Sequence, residues 1–241
     1  KFLFWIFFFE NLNLFLLAII SDVMPLRKTN RSIAQKVFRN INLNEDYFFK
    51  KIFDLKKIKR PFEIDDFGFL FGPILNSAGR LNDPNIVVEL LTTSETSLKD
   101  LIINKLISLN DKRKKIEYNI LKRLNFNKIR LENRSIIILE DINLNEGIIG
   151  IIASRIKTYF DKPTIVITKS SNIYKGSARS VENFPIGNLI KKALDKKLIE
   201  TGGGHNLAAG FTVKKQNLQS LKIFLYDACK DNSITTQNNY L

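Results

Sequence analysis

Between residues 94 and 124 the sequence carries a helical pattern that neither Gly nor Pro interrupts, and this pattern limits the folds open to the chain. Its apolar residues recur at intervals of three, four and seven, at Leu98, Ile102, Leu106, Leu109, Ile116, Ile120 and Leu124. Such a helix would be about 45 Å long at 1.5 Å per residue, which is more than one small domain needs. We therefore expect a connector helix between two domains, as the length of 241 residues allows.

Downstream of residue 130, short apolar runs alternate with helical patterns. The predicted strands lie at residues 135–139, 163–168, 174–180 and 211–213. The predicted helices lie at residues 146–160, 186–197 and 218–229. Gly202–Gly204 is expected to form a turn, and the polar segment 231–241 a frayed tail. Because strands and helices alternate, this part is predicted to be a small α/β domain with a mixed sheet.

Upstream of the long helix the patterns are shorter. Thr29 or Asn30 caps a predicted helix that runs to Asn40, and another is expected from Asp83-Pro84 to Leu91. Residues 68–80 form a Gly- and Pro-punctuated stretch, in which residues 72–80 are expected to be a Gly-flanked loop.

Residues 2–20 are apolar enough to suggest a membrane span, but Glu10, Asn11 and Asn13 interrupt them. We favour two buried elements of a soluble domain and keep a membrane-anchored protein as the alternative.

The charge of the chain favours a polyanionic partner. Thirty-eight Lys and Arg against 24 Asp and Glu give +14, and residues 105–130 alone hold nine cations and two carboxylates. A solvated helix face is the simpler interpretation of that basic window.

The chain has a single Cys, Cys229, and a single His, His205. One Cys excludes a disulfide framework and Cys-based zinc sites and fits a reducing compartment, and one His excludes two-histidine motifs.

Four segments contain residues suited to phosphate or metal chemistry. In TGGGHNLAAG, Gly202, Gly203 and Gly204 free backbone N–H groups for an anion, and Thr201 and His205 could add donors. In GSARS, Ser177 and Arg179 point to one face of a strand. Asn76, Ser77 and Arg80 lie in GPILNSAGR, and Asp22 ends an apolar run where a carboxylate could bind a hard cation. Each has a simpler interpretation as a tight corner, an edge-strand Arg, an interdomain turn or a cap.

Taken in order, the segments LNLFLLAIISDVMPLRKTNR, GPILNSAGRLND, EGIIGIIASRI, KGSARS and GGGHNLAAG resemble the RecJ single-strand-specific exonucleases of the DHH phosphoesterase superfamily. The resemblance covers about residues 11–230. The KGSARS and GGGH motifs are shared by the DHH-associated domain of the whole superfamily, whereas GPILNSAGR and the connector helix point to RecJ.

The resemblance implies an α/β fold in which a small mixed-sheet domain is joined by a long connector helix to the remnant of a second α/β domain. The expected divisions are a catalytic DHH remnant at 1–45, an interdomain region at 46–125, the DHH-associated domain at 126–230 and a tail at 231–241. The family hydrolyses single-stranded DNA from the 5′ end with Mn²⁺ or Mg²⁺, in cytoplasmic DNA repair and recombination. The resemblance implies that Asp22 is a metal ligand. The expected substrate-binding residues are Asn76, Arg80, Ser177, Arg179, Gly202, Gly203, Gly204 and His205.

The chain also departs from the family pattern. The family's metal centre uses several Asp and His residues, whereas this chain has one His, and that residue belongs to GGGH. Leu144-Asn145 replaces a Trp-His pair that is common in the family. We therefore expect the C-terminal part of an exonuclease that needs a separate N-terminal DHH segment for catalysis. The alternatives are an inactive nucleic-acid-binding module and a phosphoesterase of short oligonucleotides.

Overall fold

The computed structural model describes residues 12–40 and 46–230, and the chain divides into two compact units, residues 1–113 and 114–241. The mixed α/β class expected from the sequence is confirmed. Residues 2–11 of the apolar run at 2–20 and the predicted tail at 231–241 lie outside the described residues. Over the ranges that the structure describes, no helix has the length and hydropathy needed to cross a bilayer.

The described part of the first unit is built from helices around a phenylalanine-rich core. They are α1 (Leu12–Ser21), α2 (Lys28–Asn40), α3 (Tyr47–Leu55), a π-helical turn (Phe67–Phe71), α4 (Gly72–Leu81), α5 (Asn85–Thr92) and the long α6 (Thr96–Arg123), whose last residues belong to the second unit. The bounds of α6 lie within two residues of the prediction. Phe49, Phe67 and Phe71 are fully buried, and their rings lie 4.6–6.0 Å apart.

The prediction of a loop at residues 72–80 is wrong, because the stretch at 68–80 forms the π-helical turn and α4. Its glycines serve helix packing: a Cβ on Gly72 would lie 2.5 Å from the Ser21 Oγ, and one on Gly68 would lie 3.3 Å from the Ile20 Cγ2. Pro73 falls in the first turn of α4, the part of a helix in which proline is tolerated.

The end of α1 holds Asp22 in a Schellman motif that contains an unusual residue. The Val23 N–H donates to the Ile20 carbonyl at 3.1 Å, and the Met24 N–H donates to the Ile19 carbonyl at 2.9 Å. Val23 therefore has a φ of 53°, a left-handed conformation that strains a β-branched residue. Its side chain is 85% exposed, so packing does not offset that strain.

Replacing Val23 with Gly should stabilise the first unit by about 1 kcal/mol, because Gly adopts the left-handed conformation without strain. Val88→Gly is the control, since Val88 is an exposed valine within helix α5, and this change should destabilise the unit by about 0.5 kcal/mol. Urea unfolding followed by far-UV circular dichroism measures both effects. Equal destabilisation by the two substitutions would contradict the strain at Val23.

The second unit carries a five-stranded sheet in the order β1-β2-β3-β5-β4. Its elements after α6 are α7 (Phe126–Glu132), β1 (Ile137–Glu140), α8 (Ile149–Phe160), β2 (Thr164–Ser170), β3 (Ile173–Arg179), α9 (Ile186–Asp195), β4 (Thr201–His205), β5 (Ala208–Val213) and α10 (Leu218–Lys230). β1 pairs with β2 in parallel, and the remaining pairs are antiparallel. The sequence-predicted strands and helices of this unit are therefore found, with shifted ends.

One face of the sheet forms the core of this unit with α9 and α10. Ala178, Ala209 and Phe211 point into that core. The Phe211 ring lies directly against Gly176 of the neighbouring strand, where an added Cβ would be 2.1 Å from the ring. The second helical layer, α8, packs on the other face against β2 and β3.

The expected turn at Gly202–Gly204 is also wrong, because these residues lie within the edge strand β4. Gly203 pairs with Gly210 of β5, and no described glycine has a positive φ. None of the three glycines of β4 is therefore explained by a left-handed turn.

Candidate functional site

The register of three strands aligns the polar residues of two motifs on one face of the sheet. Arg179 of β3 lies opposite Ala208 of β5, and Ala208 lies opposite His205 of β4. One row further along, Ser177, Gly210 and Gly203 are aligned in the same way. Registered residues share a face, so all six point away from the core of α9 and α10. We call this surface of β3, β5 and β4 the open face, and Ala208, Gly210 and Gly203 the small-residue floor.

Arg179 stands at one border of the floor. Its Nη1 donates to the Ser177 Oγ at 3.2 Å and to the Ala178 carbonyl at 2.8 Å. The side chain is half-buried, and this burial lowers the pKa of the guanidinium, which still remains protonated at neutral pH. Among the residues that the structure describes, it contacts no carboxylate. A half-buried cation held by neutral groups is well suited to bind an anion.

The start of α8 forms a wall beside Arg179. A Cβ on Gly150 would lie 3.0 Å from the Arg179 Nη2 and 3.1 Å from the Ser177 Oγ, so glycine lets the helix approach both groups. The turn before α8 is shaped by Asn145, whose Oδ1 accepts the Gly147 N–H at 2.8 Å. The positive end of the α8 dipole adds to the field at this place.

The three consecutive glycines divide between the two faces of β4. A Cβ on Gly204 would lie 2.3 Å from the Ala208 carbonyl oxygen, and one on Gly202 would lie 2.7 Å from the Ile199 Cδ1. Both positions therefore need glycine for packing on the core side. A Cβ on Gly203 would meet nothing within 4 Å, because this residue lies on the open face.

His205 ends β4 at the border of the floor opposite Arg179. Its Nδ1 accepts the Leu207 N–H at 3.3 Å, which leaves Nε2 as the ring atom that can donate to a ligand. The side chain is exposed. Two strand spacings separate the backbones of His205 and Arg179, or roughly 10 Å, which leaves room for a phosphate between the side chains.

The remaining predicted site residues lie in the first unit. Asn76 and Arg80 are four residues apart in α4 and share a helix face, where Asn76 is exposed. Ser77 is different, because it is fully buried and its Oγ donates to the Ile74 carbonyl at 2.6 Å and to the Leu106 carbonyl at 3.1 Å. Ser77 is therefore a packing residue of the α4–α6 contact.

The predicted metal site is not formed by these residues. Asp22 is exposed at the end of α1, and the described parts of the chain contain no group of three or more His, Cys, Asp or Glu that could hold a metal ion. Two-metal phosphoryl transfer needs a larger set of ligands than one carboxylate supplies. The described residues therefore do not fit the Mn²⁺ or Mg²⁺ that the resemblance implies, and Asp22 stays a predicted ligand.

Sequence reasoning missed several residues of the open face. Ala208 and Gly210 complete the floor, and Gly150 brings α8 against Arg179. The small residues at 208 and 210 have the two-residue spacing of a strand face, and they could have been matched with the glycines of β4. The contact of Gly150 with β3 has no comparable signal, because it depends on how α8 packs.

The comparisons with known proteins agree with this architecture. Residues 133–231 match the family model of the DHHA1 domain. The RecJ single-stranded-DNA-specific exonuclease of Haemophilus influenzae is 32% identical over 222 residues, which are 87% of this chain and 38% of that protein. RecJ of Bacillus subtilis is 27% identical over 234 residues, or 95% of this chain and 29% of that protein.

A crystal structure of RecJ from Thermus thermophilus with Mn²⁺ shares the fold, with a TM-score of 0.78 at 23% identity over 92% of this chain and 33% of that one. Residues 133–231 thus belong to the DHHA1 domain family. Over most of its length the chain is a homologue of RecJ, and it spans less than two fifths of the length of these RecJ relatives.

Replacing Gly203 with Ala should change the free energy of unfolding by less than about 0.5 kcal/mol, because the new Cβ meets open space. The matched change Gly204→Ala should cost about 1–3 kcal/mol, because its Cβ overlaps the backbone of β5. Thermal and urea unfolding of the two variants compare them directly. A large loss of stability in Gly203→Ala would contradict the assignment of Gly203 to the open face.

Proposed function

We propose that this chain is the substrate-binding part of a RecJ-like exonuclease, and that its open face binds the phosphate backbone of single-stranded DNA. The observation that carries the proposal is the half-buried guanidinium of Arg179. It is held by Ser177 and a backbone carbonyl, has no carboxylate partner among the described residues, and borders a floor without large side chains.

Each part of the open face has a chemical task in this proposal. Arg179 and Ser177 would donate to the oxygens of one phosphate, and the Nε2 of His205 would donate from the opposite border. The floor of Ala208, Gly210 and Gly203 would let the DNA backbone approach the sheet closely. These contacts are to phosphate and not to bases, so binding is expected to be largely independent of sequence.

Hydrolysis requires metal ligands beyond those that the described residues supply. Mn²⁺ or Mg²⁺, when bound, would polarise the phosphate and activate water. We propose that a separate N-terminal DHH segment supplies most of the metal ligands, with Asp22 adding one carboxylate and Asn76 and Arg80 adding substrate contacts. The length of the RecJ relatives, of which the chain spans 29–38%, supports this division. The assembled enzyme would act in cytoplasmic DNA repair and recombination.

A second candidate function is nucleic-acid binding without hydrolysis. It is favoured by one observation, the absence of a metal-ligand cluster within residues 12–40 and 46–230. The two candidates share the open face and differ only in whether an N-terminal segment restores turnover. A phosphoesterase of short oligonucleotides would share it too, and would prefer dinucleotides over longer strands.

Arg179→Ala should weaken binding of a fluorescein-labelled oligothymidylate by about 10-fold or more, because a charge-assisted contact is worth about 1.5–3 kcal/mol. Arg179→Lys should bind with intermediate affinity, because lysine keeps the charge and loses the forked geometry. The control is Lys114→Ala, at an exposed position of α6, which should change affinity less than about 2-fold. Fluorescence anisotropy measures all three variants. Equal losses for Arg179→Ala and Lys114→Ala would contradict the proposed site.

The same titrations should show the salt dependence of phosphate contacts. The logarithm of the association constant should fall linearly with the logarithm of the salt concentration, by about 0.7 for each phosphate neutralised on a single strand. Arg179→Ala should reduce this slope by about the same amount. Binding that does not respond to salt would exclude backbone recognition.

The chain alone should not degrade single-stranded DNA with Mn²⁺, because the described residues lack a metal-ligand cluster. Adding an N-terminal DHH segment in trans should restore release of nucleotides, and Asp22→Asn should reduce that activity. Gel analysis of end-labelled DNA measures both reactions. Rapid degradation by the chain alone would contradict the proposed division, and no activity with the added segment would favour the pure binding function.

A further inference from the structure

The open face has a second polar border that the proposed function does not use. Lys175 precedes Ser177 and Arg179 at two-residue intervals on β3, so the three side chains leave the same side of the sheet. Lys175 lies opposite Thr212 of β5, and Thr212 lies opposite Thr201 of β4. Four residues separate this row from that of Arg179, or about 13 Å along an antiparallel strand.

The two threonines of this border form a donor pair. The Thr201 and Thr212 Oγ1 atoms lie 2.7 Å apart, so one hydroxyl donates to the other. The accepting hydroxyl keeps its own hydrogen and can donate it to a ligand. Thr201 is exposed at the sheet edge, so a ligand on the open face can reach the pair.

Lys175 is held by a carboxylate that belongs to the turn before α8. Its Nζ lies 2.8 Å from the Glu146 Oε2, and the same oxygen accepts the Ser170 Oγ–H at 2.5 Å. The hydrogen bond from Lys175, and to a smaller extent the one from Ser170, keeps the pKa of the Glu146 carboxyl below its usual value. The ion pair is therefore charged at neutral pH. The two side chains are 40% and 48% exposed, and such ion pairs are weak.

We propose that Lys175, Thr201 and Thr212 form a second phosphate-binding position, and that Glu146 competes with the phosphate for the Lys175 ammonium. The proposal rests on the proposed function and extends it to a second phosphate of the same single strand. The two borders are separated by the small-residue floor, so one strand can cross the floor and contact both. A separation of about 13 Å corresponds to about four stacked nucleotides at roughly 3.4 Å each, and to fewer in an extended strand.

The arrangement gives Glu146 a defined role. In the free protein it neutralises Lys175, which leaves Arg179 as the uncompensated cation of the open face among the described residues. A bound strand must displace the carboxylate or share the ammonium with it. Short ligands that reach only Arg179 would not sense Glu146, whereas longer ligands would.

Anisotropy titrations of the full chain with oligothymidylates of two to twelve nucleotides test this proposal. Lys175→Gln should weaken binding of the dodecamer about 3- to 10-fold and leave the dinucleotide within about 2-fold. Thr201→Val should weaken the dodecamer by a smaller factor, because it removes one hydroxyl and no charge. Glu146→Gln should strengthen dodecamer binding about 2- to 5-fold and leave the dinucleotide unchanged.

A double-mutant cycle separates a local release of Lys175 from a general change of charge. In the Lys175→Gln background, Glu146→Gln should have little effect on the dodecamer, because there is no ammonium to release. Glu140→Gln is the charge-matched control. Glu140 lies on β1, at the opposite edge of the sheet, and pairs with Lys222 of α10, so its replacement should leave affinity unchanged within about 2-fold.

Three outcomes would overturn the second position. They are an equal effect of Glu146→Gln in both backgrounds, an equal loss for dinucleotide and dodecamer in Lys175→Gln, and a Lys175→Gln variant that binds like the wild type. If Arg179→Ala still loses affinity in these cases, the proposed function stands and only the second position fails. If Arg179→Ala binds normally, the proposed function itself fails. Circular dichroism of each variant confirms that the sheet is retained.

Discussion

The pairing register of β3, β5 and β4 determines which residues of the two motifs share the open face. Side chains alternate between faces along a strand, so a slip of one residue would turn Arg179 toward the core and Ala178 toward the open face. The register is fixed from the core side, where Ala178, Ala209 and Phe211 pack with α9 and α10. The Phe211 ring fills the space above Gly176 and leaves no room for a side chain there. The hydrophobic core thus determines which residues point to the open face.

Glycine has two separate tasks in this sheet. Gly176, Gly202 and Gly204 let strands, the Phe211 ring and α9 approach one another on the core side, and each would clash if it carried a Cβ. Gly203 and Gly210 lie on the open face, where their lack of a side chain keeps the surface accessible. A motif that resembles a simple phosphate loop in the sequence is therefore an edge strand with one face packed against the core and the other on the open face. Helix α9 packs closely against the backbone of this strand: a Cβ on Gly187 of α9 would lie 2.8 Å from the His205 carbonyl oxygen.

The sequence predicted the α/β class and the long helix well, because both depend on the periodicity of apolar residues over many positions. The alternation in YKGSARS also predicted that Ser177 and Arg179 share a strand face. It failed where glycines suggested irregular structure: GPILNSAGR is the helix α4, and TGGGH is the strand β4. Gly72 is required by Ser21 of α1, which lies far away in the sequence. Gly204 is required by the backbone of β5, which follows after a short turn and packs against β4 only once the two strands pair. The ion pair of Glu146 with Lys175 joins residues 29 positions apart and has no signal in either motif.

A crystal structure of the chain with a short oligothymidylate would show whether the open face binds DNA. We expect a phosphate within hydrogen-bonding distance of the Arg179 guanidinium and the Ser177 hydroxyl, with the DNA backbone lying across Gly203 and Gly210. An oligonucleotide bound elsewhere, with the small-residue floor still exposed to solvent and Arg179 away from any phosphate, would contradict it.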